Sequence, residues 1–489
     1  MKSRYCIKLL SIVLPTLIGG AFVFSLALAQ TSPFDWSVPQ RITERQELTS
    51  EPILVADQSG LLHLFWSPVS SDSQSIYYSV WNGSSWTQPV DILSNFQIIG
   101  PTAAVDSKGN IYLVFSDGTS IYYSQSLVGQ AISAANWSKP IAIINGLSHA
   151  QILTDTNDRL YIFFPGLSST GPKLITSEDG GDTWSDEISI SLTSTPDRAA
   201  DYVRAAISVD GTIHVVWTEY QLPQGWPPLG LYYAHSNDGG DTWSRPVELA
   251  GEFYNQVNIT TFGDRIIHTA WNGAAGTGGR YYRWSQDGGD TWSSVTAVIP
   301  AGNGGSEGPP QLAVDNLGTL HMITTYNQRV WYLFVQGPDH KRWSNPIYIP
   351  TGDESGIPPI DQTIDPEVQR HIEHPTMTIS AGNQLQTVFW DERPAQQILQ
   401  FWYTTKQTSA SSSELISFPT QTATSTMDYK STETVTDLIM VTPSPPLIFS
   451  TDNTPPSRNT GMPIVVSAIL VVILIGSVVG LQIKRTNRK

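Results

Sequence analysis

The sequence has little that would support a disulfide-rich, thiol-dependent or nucleic-acid-binding protein. It contains one cysteine, and its 27 lysines and arginines are outnumbered by 43 aspartates and glutamates. Cys6 lies ahead of an N-terminal apolar run, so the rest of the chain can form no disulfide. Seven basic residues lie in the first eight and last six positions, which leaves 20 basic and 43 acidic residues between them. This balance excludes a general polyanion binder, and no nucleic acid is expected as a partner.

Charged residues make up only 14% of the chain, so helix-forming Lys, Glu and Arg are scarce, whereas there are 16 tryptophans and 38 glycines. This composition argues against helical bundles and coiled coils, and the aromatic content is sufficient for a large core. We therefore expect an all-β fold.

The two ends of the chain predict its location. Three basic residues precede an apolar run from Leu9 to Leu28, and small residues close the run before Gln30. This pattern predicts a signal peptide over 1–29, with an uncleaved anchor as the alternative. Near the other end, Ile464 to Ile483 is an uncharged apolar run of the length that spans a bilayer.

The basic tail at 484–489 follows that run at once, so we expect a transmembrane helix over 462–483 with the tail in the cytoplasm. The predicted location is the cell membrane, in a single pass, with the N-terminal part extracellular. Membrane contact is expected through residues 464–483.

The composition changes again at residue 407. Ser, Thr and Pro make up 28 of the 55 residues in 407–461, and this segment contains no Trp. It cannot bury enough apolar surface to fold, so it is predicted to form an extended stalk. All tryptophans lie between Trp36 and Trp402, which places the folded domain at about residues 34–406.

The folded domain is a repeat. A phrase related to Trp-Ser-x-Pro recurs at intervals of 47 to 59 residues, at Trp36, Trp86, Trp137, Trp184, Trp243, Trp292 and Trp343. A second phrase consists of an Asp after alternating apolar residues, a short turn, and then a sequence of the type His/Tyr-x-x-aromatic. Its copies begin at Asp57, Asp106, Asp155, Asp210, Asp264 and Asp315. A third strand, such as Ile76 to Ser79, lies between the two phrases. Four short strands in each repeat of about fifty residues indicate a β-propeller blade.

The first Trp-Ser strand precedes any inner strand, and the seventh repeat, ending at Tyr403, lacks an outer strand of its own. The N-terminal strand should therefore complete the last blade, which removes two open strand edges. We predict a single propeller with seven blades, and six is the fallback.

Three nearly identical phrases carry a resemblance to a known family. Ser177 to Trp184, Ser236 to Trp243 and Ser285 to Trp292 each read Ser-x-Asp-Gly-Gly-Asp-Thr-Trp. They resemble the Asp-box, or BNR, repeat of sialidases and related propellers. The resemblance implies a sialidase-like propeller, with these phrases in turns between third and outer strands. A turn carboxylate accepts backbone N–H bonds and glycine takes positive φ, so we expect a structural role. The residues concerned are Asp179, Gly181, Trp184, Asp238, Gly240, Trp243, Asp287, Gly289 and Trp292.

Functional residues are expected on the face opposite these turns, because ligand sites usually lie on loops that a scaffold holds. That face should carry His149, Tyr202, Arg204, Glu219, Tyr220, Trp226, Asn255, Arg280, Tyr326, Glu373, His374, Asp391, Glu392 and Arg393. The longest connection there runs from Thr351 to His374 and is a candidate lid.

The sialidase resemblance implies an arginine triad for a substrate carboxylate, a tyrosine nucleophile activated by a glutamate, and an aspartate as acid and base. Candidate counterparts, assigned by position rather than by a matched motif, are Arg204, Arg280 and Arg393 for the triad, Glu219 with Tyr202 or Tyr326 for the pair, and Asp201 or Asp391 for the acid. The Phe-Arg-Ile-Pro phrase of the family is absent, and seven repeats replace its usual six.

Three functions remain open from the sequence. The first is a cell-surface module that recognises a glycan or another protein; the second is a tethered exo-sialidase or other glycoside hydrolase; the third is a structural or assembly propeller. Whether the protein is an enzyme is therefore undecided. No cofactor is expected, and no metal site, because His371, Glu373 and His374 lack a recognised metal-ligand spacing. The sequence does not indicate an oligomeric state.

Overall fold

The computed structural model describes residues 36–45, 51–67, 75–94, 98–145, 150–166, 170–193, 195–223, 225, 227–273, 278–300, 308–337, 340–352, 370–393 and 398–418. The predicted signal peptide, transmembrane helix and basic tail, and most of the predicted stalk, lie outside these residues. So do His149, Trp226 and most of the candidate lid. Within the described ranges, no helix is both long enough and apolar enough to cross a membrane.

Seven antiparallel sheets of four strands form the blades of a β-propeller, which confirms the predicted all-β fold and the blade number. A first strand, β1 (Gln40–Arg45), precedes blade 1. Blades 1 to 3 contain β2 (Ile53–Ala56), β3 (Leu62–Trp66), β4 (Ser75–Trp81), β5 (Val90–Ser94); β6 (Ile99–Val105), β7 (Asn110–Ser116), β8 (Ser120–Leu127), β9 (Ile141–Asn145); and β10 (Gln151–Thr154), β11 (Leu160–Pro165), β12 (Pro172–Ser177), β13 (Ile188–Ser189).

Blades 4 to 6 contain β14 (Arg198–Ile207), β15 (Ile213–Gln221), β16 (Pro228–Ser236), β17 (Val247–Ala250); β18 (Tyr254–Phe262), β19 (Ile266–Gly273), β20 (Arg280–Ser285), β21 (Thr296–Ile299); and β22 (Gln311–Val314), β23 (Leu320–Tyr326), β24 (Arg329–Val335), β25 (Ile347–Tyr348). Blade 7 contains β26 (His371–Ser380), β27 (Gln384–Arg393) and β28 (Ile398–Gln407). The one helical turn described is the 3-10 segment Ala134–Asn136.

The N-terminal strand closes the ring, as predicted. Strand β1 pairs with β28 in antiparallel register, with Gln40 opposite Tyr403, so blade 7 takes its outer strand from the start of the domain. The amide of Ser37 also donates to the carbonyl of Thr405 at 2.8 Å. Both termini of the domain are thereby held in one sheet.

The first strands of neighbouring blades contact one another around the ring, so they line the central channel. Each inner strand begins at one face, which we call the entry face. The turns from inner to second strand and from third to outer strand lie at the other face, the turn face. The core lies between blades: Phe163 of β11 and Trp217 of β15, for example, are fully buried in one cluster.

Buried polar pairs recur inside the blades. A second-strand histidine shares a hydrogen bond of 2.7 to 2.8 Å with a third-strand tyrosine in four blades, as His63 with Tyr78, His214 with Tyr233, His268 with Tyr282, and His321 with Tyr332. Burial lowers the pKa of His214 and of His268 to about 3, and it also lowers that of His321. His214, His268 and His321 are therefore neutral parts of the scaffold at neutral pH.

The three Ser-x-Asp phrases form turns on the turn face in which the Asp and Ser side chains accept hydrogen bonds from the same turn. In the first, Asp179 Oδ1 accepts from the backbone N–H of Thr183 at 2.9 Å and Oδ2 accepts from its hydroxyl at 2.6 Å. The Thr183 hydroxyl and amide lower the pKa of Asp179 to about 2, and the same contacts act on Asp238. The backbone N–H of Gly181 donates to Ser177 Oγ at 2.8 Å.

Each turn also packs on the preceding blade. Gly289 has φ +97°, and a Cβ there would lie 2.0 Å from the Tyr233 hydroxyl oxygen. Trp292 packs edge-on against Tyr233 with ring centroids 4.9 Å apart, and its indole N–H donates to the carbonyl of Gly289 at 3.1 Å. Trp243 makes the matching bond to Gly240 at 2.9 Å, and Trp184 packs against Tyr123.

A short segment continues past β28 on the turn face. Residues 408–418, the C-terminal strap, cross from blade 7 to blade 2. The amide of Ile416 donates to the carbonyl of Gln58 at 2.8 Å, and the Phe418 ring lies directly over Gly109. Because Gln58 and Gly109 belong to turns that follow inner strands, the described chain ends on the face opposite the entry face.

Candidate functional site

Four inner strands carry the same irregularity near the entry face. The register with the second strand shifts in blades 2, 4, 5 and 7, and one residue in each shift has a left-handed backbone. These residues are Gly100 (φ +54°), Tyr202 (+47°), Gln256 (+53°) and His374 (+48°). Only glycine takes such values without cost, and strained non-glycine residues concentrate at functional sites. The bulges therefore indicate that the channel opening is the candidate functional site.

Two pairs of side chains lie in contact at these bulges. His374 Nδ1 lies 3.0 Å from Glu51 Oε1, and a Cβ on Gly308 would lie 3.5 Å from both of these atoms. Gln256 Nε2 donates to the Tyr202 hydroxyl at 3.3 Å. Contacts thus run across four blades.

Asn272 connects the Gln256–Tyr202 pair to Gly308, whose position borders the other pair. Its amide nitrogen donates to Gln256 Oε1 at 2.5 Å and to the carbonyl of Gly308 at 2.6 Å. We call the connected group the mouth cluster; its members are Glu51, Tyr202, Gln256, Asn272, Gly308, Glu373 and His374.

The pKa of Tyr202 depends on charged groups from more than one blade. Burial, followed by the carboxylates of Asp201 and Glu51, raises the pKa of Tyr202 to about 12, although Gln256 and Arg204 oppose the increase. Glu51 belongs to blade 1 and Tyr202 to blade 4, so this influence acts across the ring. Tyr202 is therefore a protonated hydroxyl at neutral pH, able to donate and to accept.

Two histidines flank the buried carboxylate of Glu373. Its Oε1 lies 3.2 Å from His371 Nδ1, and its Oε2 lies 3.9 Å from His374 Nε2. Burial and the neighbouring Glu373 raise the pKa of Glu392, and the two histidines oppose that increase. Among the described residues, no group of three or more His, Cys, Asp or Glu side chains is arranged to hold a metal ion.

Two buried polar atoms at the cluster accept or donate no hydrogen bond within the described part of the chain. One is Asn272 Oδ1, on a side chain that is 0% exposed. The other is Trp390 Nε1, whose ring lies against His374 with centroids 3.9 Å apart. Buried polar groups of this kind are rare in native proteins, and they are expected where a ligand supplies the missing partner.

The three arginines assigned to the carboxylate triad have different surroundings. Arg280 is 0% exposed; its Nε donates to Thr324 Oγ1 at 2.6 Å, and its two Nη atoms donate to the carbonyls of Gly279 and Thr325. Its guanidinium also lies 5.9 Å from the Tyr326 ring centre. Arg280 is thus engaged with the blade 5 and blade 6 backbone.

Arg393 and Asp391 lie together, but with a third partner that sequence reasoning missed. Arg370 holds both oxygens of the buried Asp391 carboxylate at 2.5 Å, while Arg393 Nη2 lies 3.4 Å from one of them. The Trp402 indole N–H also donates to Asp391 at 3.2 Å. These contacts describe a buried ion pair that joins the strands of blade 7.

The remaining candidates lie in blade 4. Glu219 is buried, with Arg198 Nη1 3.5 Å from its carboxylate. Arg204 donates to the carbonyl of Val203 at 2.9 Å, and Asp201 Oδ1 accepts the backbone N–H of Tyr202 at 2.8 Å, which stabilises the bulge. Of the predicted residues, the structure brings Tyr202 into the mouth cluster.

Sequence reasoning expected Tyr202, Glu373 and His374 on this face but did not single out Glu51, Gln256, Asn272, Gly308 or Trp390. A signal was present. Glu51-Pro52, Gly100-Pro101 and His374-Pro375 each stand at the same distance from the turn that ends the inner strand. Aligning the repeats on those turns would have brought the bulge residues into one column.

No family model and no curated protein matches this chain. Among solved structures, an ulvan lyase described as a new family of polysaccharide lyase is similar with a TM-score of 0.50 and 13% identity, over 71% of this chain and 92% of that one. The NanB sialidase of Streptococcus pneumoniae has a TM-score of 0.43 and 11% identity, over 76% and 71%. An α-L-arabinanase of Penicillium chrysogenum has a TM-score of 0.42 and 13% identity, over 59% and 93%. The likeness to the ulvan lyase concerns the β-propeller fold alone.

Proposed function

We propose that this protein binds an extracellular glycan at the mouth cluster. The observation that carries the proposal is the set of three non-glycine bulge residues at the channel opening: Tyr202 is hydrogen-bonded to Gln256, and His374 lies 3.0 Å from Glu51. Their backbones are held in costly conformations, so the side chains are positioned before any ligand arrives. Hydroxyl, amide and carboxylate groups in fixed positions suit the hydroxyl-rich surface of a sugar.

The similarity to an ulvan lyase supports the ligand class, because that protein is described in complex with a sulfated, uronate-containing disaccharide. That description concerns the other protein, and the likeness extends to the fold alone. For this chain, glycan binding is supported by the contacts within the mouth cluster.

The test is binding of the full-length protein to an array of neutral, amino and acidic glycans. Glu51→Gln keeps the shape of the side chain and removes its charge next to His374, and should weaken binding about tenfold because charged hydrogen bonds are the stronger ones. Glu178→Gln is the matched control, since Glu178 lies on the turn face with its side chain 79% exposed. Binding that Glu51→Gln leaves unchanged would contradict the proposal.

A second candidate is cleavage of the bound glycan. The observation that favours it is the pairing of His374 with Glu51, together with the protonated Tyr202 across the channel, because a histidine held by a carboxylate can act as general base. The same glycans are incubated with the protein and assayed for new reducing ends. Product that His374→Gln abolishes would support an enzyme.

The exo-sialidase form of this alternative has less support, because two of the three candidate arginines are engaged within the protein. Arg280 donates to backbone carbonyls, and Arg393 contacts Asp391. Release of sialic acid from α-sialosides, abolished by both Arg204→Ala and Arg393→Ala, would restore it.

We also propose that the protein is exported and anchored by residues 462–483. The C-terminal strap supports one consequence. Because the described chain leaves the propeller at Phe418 on the turn face, an anchored propeller would be tethered from that face. Biotinylation of intact cells with an impermeant reagent should label the propeller, and labelling only after lysis would contradict this location.

A further inference from the structure

The two ends of the propeller chain are exchanged between its first and last blades. Strand β1, at the start of the domain, pairs with β28 of blade 7. The C-terminal strap, which continues from β28, lies on the turns of blades 1 and 2. Each end of the domain is therefore held by the part of the ring to which the other end belongs.

Hydrogen bonds hold the strap to three blades. The amide of Ser413 donates to the carbonyl of Ala381 in blade 7 at 2.7 Å, and the amide of Ile416 donates to the carbonyl of Gln58 in blade 1 at 2.8 Å. The side-chain amide of Asn316, in blade 6, donates to the hydroxyl oxygen of Ser413 at 2.9 Å. These bonds cross two junctions between blades.

The end of the strap is held by apolar contacts at two turn glycines. A Cβ on Gly60 would lie 3.2 Å from a methyl group of Leu415, and a Cβ on Gly109 would lie 2.8 Å from the Phe418 ring. Phe418 also packs against the core cluster between blades 1 and 2, which includes Phe65. The strap thus extends the contacts across a third junction.

The junction between blades 7 and 1 is the one at which the ring closes. At the other junctions, the chain passes from the outer strand of one blade to the inner strand of the next, which begins at the entry face. Between blades 7 and 1 that passage runs through β1, whose attachment to blade 7 is non-covalent. The strap is a second tie at this junction, on the opposite face, and two ties in one chain strengthen each other because each keeps the partners of the other close together.

We propose that the C-terminal strap is a clasp that closes the ring on the turn face. Its docking surface is formed by the inner-strand turns of blades 1 and 2, at Gln58, Gly60 and Gly109. This surface takes an extended peptide with apolar side chains three residues apart, because the two glycines leave room for Leu415 and Phe418. While the strap is bound, blades 7 and 1 stay joined even when β1 separates from β28, so β1 pairs again.

The test is hydrogen–deuterium exchange of the full-length protein, measured by mass spectrometry over residues 408–418. We expect this segment to exchange at least about 100-fold more slowly than the same peptide free in solution, because the amides of Ser413 and Ile416 donate to other turns. Phe418→Ala should speed the exchange of the strap about tenfold. Ser412→Ala is the control in the same strap, since Ser412 is exposed, and should change nothing.

Two glycines give a matched pair of variants at the docking surface. Gly109 and Gly211 lie at the same place in the turns of blades 2 and 4, with φ of +82° and +86°, but a Cβ on Gly211 would meet nothing within 4 Å. Both Gly109→Ala and Gly211→Ala carry the penalty for a left-handed residue. Gly109→Ala should also displace Phe418, so it should lower the melting temperature by about 2 °C more than Gly211→Ala. It should speed the exchange of the strap, which Gly211→Ala leaves unchanged.

Exchange of β1 distinguishes a clasp from a passive tail. If the strap closes the ring, Phe418→Ala should also speed the exchange of β1 by about threefold or more, while unchanged exchange of β17 in blade 4 shows that the variant is folded. A strap that exchanges at the rate of the free peptide in the parent, or that Gly109→Ala and Gly211→Ala affect equally, overturns its docking on blades 1 and 2. Faster exchange of the strap in Phe418→Ala with β1 unchanged overturns the clasp.

Discussion

The two faces of the propeller differ in how their polar groups obtain hydrogen-bond partners. On the turn face, the Asp179 carboxylate accepts its hydrogen bonds from Ser177 and Thr183 of its own turn. At the channel opening, Tyr202, Gln256 and His374 carry left-handed backbones, and the buried Asn272 Oδ1 accepts no hydrogen bond from the described part of the chain. The turn face satisfies its polar groups within the chain, whereas the proposed binding region keeps strained residues and a polar group that a ligand would suit.

The strands between the two faces resemble the turn face, because their buried histidines find hydrogen-bond partners within the blades. The largest predicted effect is the dependence of their stability on pH. His214 and His268 have pKa values of about 3 in the folded protein, below the usual value near 6.5 of an unfolded chain. Between those values the unfolded state binds more protons, so the free energy of unfolding falls as the pH falls. We expect a loss of about 5 kcal/mol between pH 6 and pH 4 from these two residues.

Urea unfolding at several pH values measures this slope. His268→Gln keeps a hydrogen-bonding side chain beside Tyr282 and removes the titration, so its stability should depend less steeply on pH than that of the parent. An identical slope for both proteins would mean that other groups cause the acid sensitivity.

How far the sequence predicts these features depends on how local they are. The blades, the closing strand β1 and the three Ser-x-Asp turns follow from short repeated phrases, because each blade needs the same strands and turns. The bulge contacts are different, since Glu51 and His374 are 323 residues apart and meet only when the ring closes. The same holds for Arg370, which lies 21 residues from Asp391. Residue types and their spacing predict that the candidate arginines lie on the entry face. The role of each arginine depends on its hydrogen-bond and ion-pair partners, which come from distant parts of the sequence.

The turn face offers a sharper comparison in two adjacent glycines. Both Gly288 and Gly289 have positive φ, but a Cβ on Gly289 would strike the Tyr233 ring, while a Cβ on Gly288 would meet nothing within 4 Å. Gly288→Ala should therefore cost about 1 kcal/mol, the penalty for a left-handed residue. Gly289→Ala should cost about 3 kcal/mol because overpacking adds to that penalty. Chemical denaturation of the two variants measures the difference, and equal losses would show that Tyr233 moves aside without cost.

The smallest expected effect is at the channel opening, and it tests whether the backbone of the blade 5 bulge is strained. Gln256 has φ +53°, so Gln256→Gly and Gln256→Ala both remove the bonds to Asn272 and Tyr202, but only the alanine retains the strained backbone. The glycine variant should be more stable than the alanine variant by about 1 kcal/mol. Both should bind glycans more weakly than the parent, because binding depends on the side chain and not on the backbone energy. If the glycine variant is the less stable of the two, the bulge is not strained, and the contrast between the faces would rest on the unused acceptor of Asn272 alone.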